Sequence, residues 1–325
     1  RTESTAKLRK FKMWFKADRE HCKEWRKCAK EDFEFLAGEQ WTHAEKEKLK
    51  SELRPIITFN RTNPIIQSVS GMEMANRKEV KYYPREPGDA KANEILTEGA
   101  KWFRDVADAD DEDSDAFLDT LVCGLGATDT TLDFEEAEEG EPMVSAVNAL
   151  EMLWDKSARK KNFSDARRLW RVRKIPLARA KELFPEKDVT EYDAKWAHLD
   201  ITPDSDESQE EADRYEGDDE KLDVDGEKDV TIVHLEYKER VKVRVLVDMQ
   251  TGKRVEYGLA DAKKLMERAA QMGRMFTVLG ERQVTKVRKV FIGANILDET
   301  DALCPTHFSF QIITGYIDRN TGLPY

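Results

Sequence analysis

Between Ser4 and Leu36, apolar side chains return at helical intervals: Leu8, Phe11, Phe15, Cys22, Trp25, Ala29 and Leu36. That spacing commits the opening of the chain to one long amphipathic helix, because only a 3.6-residue period places these groups on a common face. Asp18 and Asp32 interrupt the stripe. Thr42-His43-Ala44-Glu45 is a capping box that opens a short charged helix ending near Leu53. Arg54-Pro55 stops it, and residues 56–59 read as a short buried strand. Asn63-Pro64 starts a further helix, Asn as the cap and Pro at the first helical position, with Ile65, Val69 and Met72 as its core face. Val80 and Tyr82 alternate on a strand closed by Pro84. The turn Pro87-Gly88-Asp89 leads into a helix carrying Ile95, Trp102, Phe103 and Val106, and another helix follows over 112–123.

Beyond Gly124-Leu125-Gly126 the pattern changes to strands. Residues 127–134 and 143–148 flank an acidic loop and predict a hairpin. Residues 169–175 predict a strand, followed by a helix led by Pro176. Residues 186–229 hold 19 acidic and 5 basic side chains and read as a poorly packed, partly mobile insertion. A second hairpin is expected from 231–238 and 241–248, then a helix over 259–272 and a strand over 284–292. The fold class is therefore α+β. The expected division is a helical part over 1–126, a mixed α/β part over 127–185, the acidic insertion over 186–229, a hairpin and helix part over 230–302, and a connection over 303–325.

Length and charge bound the function. The 325 residues are 39% apolar and 37% charged, against about 45–50% and about 25% in an average soluble domain. Lys and Arg number 54 and Asp and Glu 66, a net charge of −12. An acidic balance opposes tight wrapping of nucleic acid, whose affinity comes from neutralising phosphates. It leaves room for a surface past which nucleic acid slides. The four cysteines form no CxxC pair and imply a reducing environment rather than a disulfide framework. No run of about 18 apolar residues exists to cross a membrane, no signal peptide opens the chain, and a soluble protein is expected. The first residue is Arg, which reads as a start inside a longer product.

Motifs for catalysis are weak. Gly124-Leu125-Gly126 lacks the third glycine of a dinucleotide fingerprint and reads as a turn after a helix. There is no P-loop. His21-Cys22 with Cys28, and Cys304-Pro305-Thr306-His307, offer soft ligands without three or four at metal-site spacing. No cofactor and no metal site are expected. Two charge clusters say more. Residues 104–119 combine Arg104 with eight acids, among them Asp110, Asp111 and Asp113. Residues 155–174 carry nine cations, among them Arg159, Lys160, Lys161, Arg167 and Arg168, against Asp155 and Asp165. Each has a net charge of magnitude seven, opposite in sign. They read as two solvated faces, as a head-to-tail subunit contact, or, for the basic run, as a contact to DNA phosphates. Charge reversal at Arg167 and Arg168 tests the last two: unchanged oligomer size and DNA retention would remove them.

Four blocks carry a resemblance: RPIITFNRTNPIIQSVSGMEMANRKEVKYYPRE from Arg54, DAFLDTLVCGLGATDTTLDFE over 115–135, ALEMLWDKSARKKNFSDAR over 149–167, and ITGYIDRNTGLPY over 313–325. In this order they resemble portal proteins, the head-to-tail connectors of tailed double-stranded-DNA bacteriophages, particularly the short-tailed type. The resemblance implies a structural, non-enzymatic subunit of a ring, usually of twelve copies, at one vertex of the phage head. DNA would enter through its channel under the terminase motor and leave at infection. Coat and scaffolding proteins and a tail adaptor would be further partners. It places this chain in the outward wing of such a ring, with stem and clip largely beyond Tyr325. The prolines of 54–90 then set rigid corners, and Arg61 and Arg77 flank a helix with one surface for a neighbour. The alternative is a metal-dependent phage nuclease, which would need carboxylates converging on Mg²⁺. A non-viral scaffolding protein would share composition but not the ordered blocks.

Overall fold

The computed structural model describes residues 2–84, 86, 89–134, 138, 140–197, 199, 229–249, 252, 254–271 and 275–325. Helix α1 covers Thr2–Ala37, about 54 Å at 1.5 Å per residue. Its buried face is Phe11, Phe15, Asp18, Cys22, Trp25 and Ala29, a run of alternating three- and four-residue steps. Asp18 does not interrupt this stripe but belongs to it.

Two antiparallel sheets receive that face. The smaller has the order β2-β1-β9, built from Glu141–Val147, Leu125–Asp133 and Phe310–Thr314. The larger runs β3-β4-β5-β7-β8, from Met152–Trp154, Arg168–Pro176, Asp229–Asp248, Phe276–Ile292 and Ile296–Asp301, with β6 (Arg254–Gly258) paired to β5. Aromatic rings fill the junction. Phe15 meets Trp170 and Trp196 edge-on at 5.4 and 5.1 Å, and Trp25 meets Trp154 at 5.0 Å. Each of these four indoles also has an acceptor. Trp25 donates to Cys123 O, Trp154 to Gly322 O, Trp196 to Gly293 O and Trp170 to Asp18 Oδ2. A buried indole N–H without a partner would cost about 1–3 kcal/mol, so these bonds allow the rings to sit in the core.

The remaining helices are α2 (His43–Ser51), α3 (Thr62–Ala75), α4 (Ala90–Val106), α5 (Ala109–Cys123), α6 (Leu177–Leu183) and α7 (Leu259–Gln271). The capping box is present at the start of α2: Thr42 Oγ1 accepts from Glu45 N, and Thr42 N donates to Glu45 Oε2. Gly124, at φ 79°, ends α5 as a left-handed cap, the turn expected there. At Gly126 α5 lies so close to β1 that a Cβ there would stand 1.9 Å from Ala116 O.

Several expectations change. Residues 56–59 and 80–82 are not strands, and Phe59 is 78% exposed. Helix α3 starts at Thr62 rather than at an Asn63 cap; instead Asn60 Oδ1 accepts from Asn63 N. The predicted second hairpin is one unbroken strand, β5, because Glu239-Arg240 offers no turn chemistry and β7 pairs along its length. Strand β7 is correspondingly longer than 284–292. The early part of the acidic segment packs: Tyr192, Ala194 and Ala197 are buried, with the Tyr192 hydroxyl 2.8 Å from Phe184 O. Residues 198, 200–228 of it lie outside the described residues. Among the described residues, no helix is long and apolar enough to cross a membrane.

Asp18 is 2% exposed. Arg168 grips it through Nε to Oδ2 and Nη2 to Oδ1, both at 2.9 Å, while Trp170 Nε1 adds a bond of 2.8 Å. Burial raises the pKa of Asp18, and the Arg168 and Trp170 bonds oppose the rise. Removing the cation leaves a buried, uncompensated carboxyl. Arg168→Ala should therefore cost about 3–5 kcal/mol in denaturant unfolding, and the double change Asp18→Asn with Arg168→Gln should recover part of it. Equal losses in the single and double variants would contradict this account.

Candidate subunit interface

Helix α5 organises the N-terminal surface, with α3 and α4 packed on its outer side and β1 and β2 on its inner side. The corner from α4 into α5 turns on Asp108, a non-glycine residue at φ 45°; Asp tolerates this region better than most side chains. Acids follow in the first helical turn, where the N-terminal dipole favours them. Arg104 Nε donates to Asp110 Oδ1 and Nη2 to Asp113 Oδ2, each at 2.9 Å. Arg77 Nη2 donates to Asp111 Oδ1 and to Ser114 Oγ, both at 2.8 Å, and Ser114 Oγ stands 2.8 Å from Glu73 Oε2. The structure thus brings Arg77, Asp110, Asp111 and Asp113 into one network joining α3, α4 and α5. Arg61 is exposed at the N-cap of α3, with no side-chain cap bond.

The basic run is distributed differently. Arg159 donates to Asn320 O and Thr321 O at 3.1 Å, where Gly322 at φ 76° leaves space for its guanidinium. Lys161 Nζ donates to Gly315 O at 2.8 Å. Arg168 is held by Asp18, and Arg171 Nε donates to Glu151 Oε2 at 2.9 Å. Much of this run therefore fastens the C-terminal turn and the core to the sheet. Lys160 and Arg167 have exposed side chains, while their backbone N–H groups bond Asp165 and Asp155. Charge reversal at Arg168 would damage the core, so Arg167 alone is the informative surface change.

The N-terminal surface is also apolar. Of the 31 exposed large hydrophobic side chains among the described residues, 15 fall within residues 53–106. Ile65 is 65% exposed and Ile95 72%, so the faces that the sequence assigns to a core are uncovered. Such a concentration of exposed apolar side chains in one segment suits a surface that something covers. A separate groove of about 630 Å³ runs between α1, α5 and the C-terminal turn, lined by Trp25, Phe117, Leu121 and Tyr316 among others.

Reading the residues alone misses a buried pair between the sheets. His234 Nε2 and Glu236 Oε1 lie 3.6 Å apart, and neither has a hydrogen-bond partner. The only signal was their place on the alternating apolar strand β5. Burial pushes the His234 pKa down, partly offset by Glu236. Cys22 and Cys123 are buried thiols, each pushed up to about 12 by desolvation, and so are poor nucleophiles. Cys304 and His307 do meet, Sγ to Nδ1 at 3.6 Å. Among the described residues, however, no group of three or more His, Cys, Asp or Glu side chains is placed to hold a metal ion.

An α+β chain with a network-braced helical surface and many exposed apolar side chains on it has the character of an assembly component. Comparison with family models gives the class. The chain belongs to the phage P22-like portal protein family, whose model matches residues 12–325. It is thus a structural portal component of a bacteriophage capsid. A search of curated proteins finds no match.

His234 sets a pH dependence. Its native pKa lies below the ordinary value of about 6.5, so the unfolded chain takes up a proton first. Stability should be full above about pH 7 and fall as the pH drops from about 6.5 toward the depressed native value. Denaturant midpoints at pH 7.5 and 5.5 should show this slope, and His234→Asn should shrink it; an unchanged slope would assign it to other groups.

Proposed function

We propose that this chain is one subunit of a closed ring, of about twelve copies as usual for such connectors, at a single vertex of the capsid. The ring's channel conducts double-stranded DNA inward during packaging and outward at infection. Its outer surfaces dock the terminase motor, coat and scaffolding proteins, and the tail adaptor. The observation that carries this reading is the family match over residues 12–325. The uncovered apolar side chains of residues 53–106 support it, since a ring subunit must bury such a surface against neighbours.

In this reading Arg61, Arg77, Asp110, Asp111 and Asp113 face a neighbouring subunit. Lys160, Lys161 and Arg167, with Arg159 and Arg168 anchored behind them, lie toward a neighbour or toward the DNA backbone. The net charge of −12 suits a conduit, because repulsion lets a polyanion pass without a binding well. The chain acts through shape, and no covalent step is assigned to it.

Negatively stained images of the purified full-length product should show rings with a central hole, and its mass in solution should be a multiple near twelve. A monodisperse monomer at high protein concentration would overturn the reading.

A further inference from the structure

Strand β5 carries a cation at every second position where it runs past the end of β4: Lys238, Arg240, Lys242 and Arg244. Side chains of a strand alternate between faces, so all four share one face, about 6.6 Å apart and about 20 Å from first to last. Arg240, Lys242 and Arg244 stand opposite Thr285, Gln283 and Glu281 of β7. Arg167 extends the row. It lies one step beyond the Arg168–Tyr237 pair, and its carbonyl accepts from Lys238 N at 2.9 Å, which sets it across from Lys238. Lys238 Nζ donates to Ser164 O at 2.6 Å, in the loop that also holds Lys160. Burial lowers the pKa of Lys238, Asp165 and Asp155 oppose the fall, and the charge of Lys160 adds to it.

The acids beside this row are engaged within the chain. Glu281 accepts from Arg244 at 2.6 Å. Asp165 accepts from the backbone N–H groups of Arg159 and Lys160, and the buried Asp155 from those of Arg167 and Arg168. Lys160, Arg167, Arg240 and Lys242 are exposed, and among the described residues no ion pair engages their side chains. The opposite face differs: there Arg288 meets Glu239 and Asp301, and Arg282 meets Glu256.

What lies between the cations selects the partner. From Arg240 to Arg244, every side chain of β5 and β7 on this face is charged or carries a hydroxyl or an amide. A protein interface centres on an apolar core, and this strip has none. Phosphate oxygens are held by Arg, Lys, Thr and Gln side chains, the types that line it. A spacing of about 6.6 Å is about two phosphate steps along one strand of a DNA duplex.

We propose that Lys160, Arg167, Arg240 and Lys242 form a track for the phosphate backbone of double-stranded DNA. This rests on the conduit reading above for the identity of the polyanion; it adds Arg240 and Lys242, and turns Lys160 and Arg167 toward DNA instead of a neighbour. Contacts of this kind read no sequence, and their weak, salt-sensitive hold permits sliding.

Fluorescence anisotropy of the full-length protein with short duplexes of unrelated sequence, between about 50 and 200 mM salt, tests it. Arg240→Ala with Lys242→Ala should roughly halve the slope of log affinity against log salt, because two of four phosphate contacts go, and should weaken every duplex by the same factor. Adding Lys160→Ala with Arg167→Ala should remove most of the remaining slope. Arg282→Ala, on the opposite face, should leave it unchanged. Negatively stained images of each variant should show the same rings as wild type. An unchanged slope in the fourfold variant, or wild-type rings that bind no duplex at low salt, would overturn the track and leave the ring reading standing. Poly-glutamate binding more tightly than duplex at matched charge concentration would overturn it in favour of an acidic protein partner. A wild-type monomer whose DNA binding needs these four residues would overturn the ring reading and keep the track.

Discussion

A buried carboxyl on a long helix governs how this chain assembles its core. Asp18 lies in the middle of the buried stripe of α1, and its two oxygens take three hydrogen bonds from Arg168 and Trp170. Arg168 also lies 4.8 Å over the ring of Trp14. Taking both charges out of water costs several kcal/mol per ion, which the mutual attraction offsets only with good geometry. The consequence is register. Sliding α1 by one turn along the sheet would bury Asp18 without its partners, so the ion pair fixes where Phe15 and Trp25 meet the other rings.

With α1 fixed, the helical layer follows. Trp25 Nε1 reaches Cys123 O at the end of α5, and α5 lies tightly on β1 because Gly126 has no side chain. The outer helices α3 and α4 then depend on α5 through polar links, Arg77 to Asp111 and Arg104 to Asp110 and Asp113. These links are partly exposed and each is worth little alone. Orientation is what they supply: they hold two apolar helix faces outward on a braced support.

Local chemistry was legible where it is settled locally. The Thr42 capping box, the β1–β2 hairpin, the strand at 168–176 and the amphipathic α7 follow from periodicity and caps that no distant contact overrides. Residues 56–59 and 80–82 look like strands because their apolar content is high, yet among the described residues no strand pairs with them. Likewise Ile65, Ile95 and Trp102 have a core-like period on helices whose apolar faces are open. Asp18 reads as a blemish in the α1 stripe, since nothing near it in sequence announces Arg168, 150 residues away. The sign of residues 155–174 was visible, but not that Arg159 and Lys161 would turn to backbone carbonyls near the C-terminus.

The length of α1 has a mechanical consequence. A helix braced by internal hydrogen bonds along some 50 Å behaves as a strut. It joins the point where Tyr237 of β5 packs on Phe11 and Trp14 to the place where Asn60 attaches at Leu36. Load applied at either end is transmitted as tilt of a stiff rod instead of being absorbed by loops. In a closed circle of such struts, displacement of one member would be felt by the others, so the collar would dilate or twist collectively.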